Sequence, residues 1–262
     1  MQVAADELKM PASRVRFELG DSRFPKAPVS GGSMTVASVS PAVQAACAAL
    51  RERILDLAQR DPRAGLGAVA RADLRFENGV VIAPSGRVRV AELLARGGAD
   101  QISAAASVKP GDKKERYSMH SFGAQFAEVR VDADLGEIRV ARLLGVFDAG
   151  RVLNAKTARS QAIGGIVFGL GMALLEQTHI DPEIGRITNA NVSEYLMAVH
   201  ADVPYIDTVL VENSDPVVDP LGARGLGELP TVGVAAAIAN AVFHATGKRV
   251  RDLPIRVEDV LA

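Results

Sequence analysis

Three short segments hold residue types that could do chemistry. From Pro28 to Ser40, glycines at 31 and 32 let backbone N–H groups point inward, and Ser33, Thr35, Ser38 and Ser40 add hydroxyls. A helix that begins just after such a loop adds partial positive charge, so the segment could cradle a phosphate or an oxygen-rich group without Lys or Arg. From Ser160 to Ala173, glycines recur at 164, 165, 169 and 171 inside a helical pattern. Each costs about 1 kcal/mol relative to Ala, which close backbone approach usually offsets. At roughly 100° per residue, Gln161 falls in the middle of that bare side. From Pro220 to Gly233, glycines at 222, 225 and 227 surround Arg224 and stop at Glu228. A carboxylate on a glycine-shaped loop can act as a base.

Each segment also has a plainer reading. The first fits a Ser-capped loop, with Ser40 as N-cap and Pro41 opening a helix. The second fits a tight helix crossing with Gln161 bonded to backbone. The third fits a helix-start carboxylate next to the macrodipole. The third is neither a Walker loop nor a dinucleotide fingerprint, since neither the Lys-Ser/Thr nor the βαβ context is there. That weakens a stand-alone nucleotide-binding reading of the Gly222 to Gly227 loop.

The elements that must position these residues follow from pattern. The chain has 262 residues, of which 48% are hydrophobic and 23% charged, enough for a real core. Its formal charge of -1 gives no reason to expect nucleic-acid or anionic-membrane binding. No export signal or membrane span is read from it, which points to the cytoplasm, with periplasmic delivery by a partner's export signal left open. The single Cys47 excludes intrachain disulfides and a self-contained iron–sulfur cluster, and the four histidines lack zinc spacing, so no protein metal ligands are assigned.

The opening residues read as an amphipathic helix already under way, as though the chain begins in mid-domain. Alternation predicts a strand over 14–20, and helical period predicts a helix from Pro41 to about Ala58. Short strands at 74–82 and 101–108 flank a helix at Val90 to Arg96. The polar run 110–116 is read as a connection between lobes, 1–112 and 113–262. A hairpin over 125–131 and 137–144 turns through 132–136. Helices are expected over 154–176 and 231–246 and from Arg256, with a strand at 204–212. Without βαβ alternation the class is α+β, with mixed helices and short sheets.

Taken in order, Gly31 to Ser38, Ser121 to Asp132, Asp148 to Asn154, Ser160 to Gly165 and Gly225 to Glu228 resemble the molybdopterin-binding subunit of the xanthine dehydrogenase/aldehyde oxidase family. The closing 235–254 looks like its bacterial three-subunit aldehyde dehydrogenase branch. The resemblance covers nearly the whole chain, as the C-terminal part of that subunit. It implies oxidation of an aldehyde or N-heterocycle with water-derived oxygen at molybdenum held by molybdopterin cytosine dinucleotide. Glu228 matches the family base, and Gln161 the glutamine that hydrogen-bonds the pterin. Thr35, Ala37, Ser38 and Ser40 match the stretch lining the cofactor and its phosphate, with Gly227 beside the base.

The upstream family segments are not seen in this sequence: a substrate-funnel domain, a Gly-rich Phe loop, an arginine-bearing loop and a Gly-Gln cofactor segment. The resemblance therefore implies that another polypeptide or a longer chain supplies them. With one cysteine and no flavin loop, it also implies a [2Fe–2S] subunit and an FAD subunit to carry electrons away. The alternative is a non-catalytic module that scaffolds such a complex and binds no cofactor. The catalytic reading requires the hydroxyl cradle, the Gln161 amide and the Glu228 carboxylate to converge around a shared cavity edge, and it fails if the acid faces open solvent with no hollow beside it.

Overall fold

The computed structural model describes residues 1–109 and 111–261. The chain forms two compact units, each with mixed helices and a small sheet, so the class is α+β. One comprises Met1–Ser30, Thr35–Tyr117 and Asp219–Leu221, and the other Gly31–Met34, Ser118–Val218 and the chain from Gly222 onward.

In the first unit, α1 (Gln2–Glu7) precedes the long α2 (Thr35–Arg60). The apolar period of α2 buries Cys47, Ile54, Leu55 and Ala58. Ile54, Leu55 and Ala58 pack with Leu66, Leu74, Phe76, Val81, Val88 and Leu93 into one core. The helix starts six residues before Pro41, not at it. Pro41 therefore sits inside the helix without an N–H for the carbonyl of Ala37, and Thr35, Ala37, Ser38 and Ser40 are helical rather than loop residues.

Beyond it lie β1 (Arg75–Glu77), β2 (Val80–Ala83), β3 (Gly86–Arg89) and α3 (Val90–Arg96). The expected single strand over 74–82 is a hairpin, because Asn78 and Gly79 both take positive φ, 48° and 79°, in the two-residue turn joining β1 to β2. The expected strands at 14–20 and 101–108 do not form. The first has a 3-10 turn at Ala12–Arg14 and leaves Phe17 and Leu19 exposed, so its alternation has no sheet to face. Of the expected 110–116 connection, Pro110 lies outside the described residues, and Lys113–Arg116 form a one-turn helix, α4.

The second unit is built on β4 (Phe122–Asp132) and β5 (Glu137–Asp148), with β8 (Tyr205–Leu210) parallel to β5. Asp132 accepts from the N–H groups of Asp134 and Leu135, and Gly136 takes φ 67°, closing the turn. Asn154 caps α5 (Ala155–Leu174), its side chain accepting from Thr157 N at 3.1 Å. A two-stranded ribbon, β6 (Ile180–Asp181) and β7 (Arg186–Ile187), follows α5.

The expected helix over 231–246 begins earlier and breaks at Gly233, giving α6 (Leu229–Val232) and α7 (Val234–Thr246) before the short α8 (Val257–Val260). Val234, Ile238 and Val242 recur at spacing four and are wholly buried, packing with Leu143, Phe147, Ile166 and Leu170. Leu229–Thr246 does have the length and apolarity of a membrane span, with mean hydropathy 1.4, contrary to the reading above. Its apolar stripe is used in this core.

Candidate functional site

Close packing of α5 explains two of its four glycines. A Cβ on Gly165 would lie 2.8 Å from Pro230 Cβ, and one on Gly169 would collide with Val234, so α5 lies directly against α6 and the start of α7. Gly171 is closed by Glu176, whereas a Cβ on Gly164 would meet open space. The tight-crossing reading therefore describes Gly165 and Gly169. It also anticipates Gln161, whose Nε2 donates to the carbonyl oxygen of Gly227 at 2.8 Å.

Glu228 is the N-cap residue of α6. Its side chain is exposed and, among the described residues, makes no ion pair or hydrogen bond, so it is not used to cap the helix. Its backbone is held instead: Glu228 N–H donates to Ser33 Oγ at 2.7 Å. Gly225 and Gly227 are shaped around the same serine. A Cβ on Gly225 would stand 2.8 Å from Ser33 O, and one on Gly227 would stand 2.7 Å from Ser33 Oγ and 3.8 Å from Gln161 Nε2. Ser121 Oγ adds a hydrogen bond to Gly225 O at 2.5 Å.

A buried ion pair anchors the other end of this loop. Arg224 pairs with Asp148, donates to His120 O at 2.8 Å, and has Asp215 at 3.6 Å. Asp148 also accepts from Gly150 N at 3.0 Å and from Asn213 Nδ2 at 3.1 Å. Burial alone would raise its pKa. The Gly150 N–H, Asn213 and Arg224 together outweigh burial and hold the carboxyl below its ordinary value. Arg224 N and Arg151 N then bond to Ala149 O and Gly222 O, both at 2.7 Å, tying the end of β5 to the loop that leads to Glu228.

The second unit thus brings together the hydroxyl of Ser33, the amide of Gln161, Gly227 and Glu228. Thr35, Ala37, Ser38 and Ser40 occupy the first two turns of α2 in the first unit. At about 100° per residue, Thr35 and Ser38 share one side of the helix and Ala37 and Ser40 another. Thr35 is exposed, with its Oγ1 3.0 Å from Ser30 Oγ, and the other three are half-buried. Sequence reading counted Ser33 only as one of several hydroxyls. Its bond to a residue 195 positions away leaves no local trace. The available signal is Ser in a Gly-Gly-Ser-Met turn, at a place whose positive φ suits Gly or Asn better.

Residues 1–204 match the family model described as molybdopterin cofactor-binding domain. The chain belongs to this family. The chain is 39% identical over 260 residues to the Escherichia coli K12 aldehyde oxidoreductase molybdenum-binding subunit PaoC, covering 99% of this chain and 34% of that protein. Quinoline 2-oxidoreductase from Pseudomonas putida 86 superposes with a TM-score of 0.82 at 27% identity, over 98% of this chain and 33% of that one. The Cu,Mo-CO dehydrogenase shares the fold, with a TM-score of 0.81 at 21% identity over 98% of this chain and 33% of that one. The chain therefore spans about a third of the length of these relatives.

Proposed function

We propose that this chain forms part of a molybdenum hydroxylase that oxidises aldehydes or N-heterocycles with water-derived oxygen, with Glu228 as its base, and that it acts only together with the rest of such a subunit. One observation carries the reading. In a chain of this family, a hydroxyl and an amide converge on the backbone beside a carboxylate that is committed to no other partner.

The residues present fit the cofactor. Ser33 Oγ takes the space that a Cβ on Gly227 would fill, while the exposed Gln161 amide, with one N–H on Gly227 O, has a second N–H and an oxygen to offer an oxygen- and nitrogen-rich ring edge. Thr35, Ser38 and Ser40 supply further hydroxyls at the start of a long helix, where an anionic phosphate is favoured. When bound, molybdopterin cytosine dinucleotide supplies the two-electron oxidation. Gln161 would hold the pterin edge and Gly227 would meet the cofactor through its backbone, while the family resemblance assigns the phosphate to the α2 hydroxyls.

Glu228 would take the proton released as the water-derived oxygen attacks the substrate carbon. A carboxylate with no other partner, on a pinned backbone, is placed to do so. Cys47, the single thiol, is buried and cannot build a cluster, so the electrons leave through a [2Fe–2S] subunit and an FAD subunit. We propose the cytoplasm for the assembly, with delivery to the periplasm by a partner's export signal as the alternative.

A second reading, a scaffold that binds no cofactor, draws on the exposure of the Glu228 side chain. Production of the assembled complex, followed by assay of molybdenum and acid-released CMP, separates the two. The enzyme reading requires near-stoichiometric molybdenum and CMP, with turnover lost in Glu228→Gln and both contents retained. A complex containing neither supports the scaffold, and loss of metal in Glu228→Gln makes the residue structural.

A further inference from the structure

The peptide joining Gly227 to Glu228 is held at both of its polar atoms. Its carbonyl oxygen accepts from Gln161 Nε2 at 2.8 Å, and its N–H donates to Ser33 Oγ at 2.7 Å. A peptide unit is planar, so fixing its two ends fixes the Glu228 N–Cα bond, and the φ of -103° that Glu228 takes as N-cap of α6 then sets the direction of its Cα–Cβ bond. The need for a clamp follows from the sequence. Gly225 and Gly227 flank this stretch, and glycine places the weakest steric restraint on rotation of the adjoining peptide.

We propose that Ser33 is a positioning residue for Glu228 and forms, with Gln161, a two-sided clamp on the Gly227–Glu228 peptide. Gly31 to Met34 form a turn closed by Met34 N to Gly31 O at 3.2 Å, with φ of 58° at Gly32 and 59° at Ser33. Such a turn favours Gly or Asn at its second central position, so serine there works against local preference. What serine adds is the hydroxyl, which is the group that meets Glu228. The moulding of Gly225 and Gly227 on Ser33 keeps that hydroxyl in register, since side chains at either position would displace it. A group bound against Gln161 would therefore sit on the same clamp that sets the direction of the base.

The proposal rests on the reading of Glu228 as the base, and the test separates the two. Ser33→Gly accepts the positive φ without strain and removes the hydroxyl together with its Cβ. In the assembled enzyme it is expected to lower kcat roughly 10- to 100-fold, the scale of a misplacement of about 1 Å. KM should stay within about twofold and molybdenum and CMP contents should be unchanged. The acid limb of the kcat–pH profile should move, because the carboxylate is no longer held in one environment. Hydrogen exchange at the Glu228 amide should accelerate with the cofactor in place, a change that does not depend on turnover.

Ser33→Ala, which keeps a Cβ, should show the same kinetics. Wild-type kcat and pH profile in Ser33→Gly, with Glu228→Gln inactive, overturn the clamp and leave the base intact. Loss of molybdenum in Ser33→Gly also overturns it, because Ser33 is then a cofactor contact. Full activity in Glu228→Gln overturns the underlying reading instead.

Discussion

Replacing Gly164 and Gly165 of α5 by alanine, one at a time, should change stability in opposite directions. The two are neighbours in one helix, so propensity favours both substitutions equally, by about 1 kcal/mol. Packing separates them. A Cβ at 164 meets nothing within 4 Å, so Gly164→Ala should keep the propensity gain and stabilise by about 0.5–1 kcal/mol. A Cβ at 165 would stand 2.8 Å from Pro230 Cβ and 3.3 Å from Thr231 N. Carbon atoms settle at about 3.5–4.0 Å, so α6 must retreat by roughly 0.7–1.2 Å. Such overpacking costs about 1–3 kcal/mol, which leaves Gly165→Ala between neutral and about 2 kcal/mol destabilised. Because α6 begins at Glu228, the same retreat should lower kcat by up to roughly 100-fold. Urea denaturation of each variant, with kcat measured on the assembled enzyme, tests both parts. A stabilised, fully active Gly165→Ala, or a destabilised Gly164→Ala, would refute the close approach of α5 to α6.

Asp148 should make stability depend on acid. Its carboxyl is held below its ordinary value, so its contribution is complete above about pH 4, near the unfolded pKa, and is lost as pH falls through the lower folded pKa. Asp148→Asn should cost up to about 3 kcal/mol at neutral pH, since Asp215 remains near Arg224, and should flatten the acid limb. Denaturation from pH 2 to 7 checks this, and an unchanged limb contradicts it. Asn154→Ala removes the α5 cap and should cost about 1 kcal/mol in urea denaturation; an unchanged midpoint would mean the cap contributes nothing.

Much of the fold is legible where pattern and local chemistry agree. The β4–β5 hairpin, α5 and the start of α8 follow from alternation, a Gly-ended turn and helical period. Asn78-Gly79 is a two-residue turn signal inside an apolar run, so the run over 74–82 holds two short strands where its hydrophobicity alone suggests one. The alternation over 14–20 misleads because a strand needs a neighbour, and period alone cannot supply one. Ser40-Pro41 looked like a helix start, yet α2 runs through it from Thr35. Pairing is the other blind spot: β8 lies parallel to β5 across more than fifty residues, and nothing local encodes that choice. The site shows the same divide. The glycine-flanked Glu228 and the Gln161 face stand out in sequence, whereas Ser33 becomes visible only once the chain has brought it to Glu228.

The most direct measurement is the anaerobic reduction of the assembled enzyme by excess aldehyde, followed by stopped flow for wild type and Glu228→Gln at equal molybdenum content. With Glu228 as the base, wild type is reduced rapidly, and the variant is slower by about 100-fold or more. Reduction of the variant at the wild-type rate would contradict the account, since proton removal would then not involve this carboxylate.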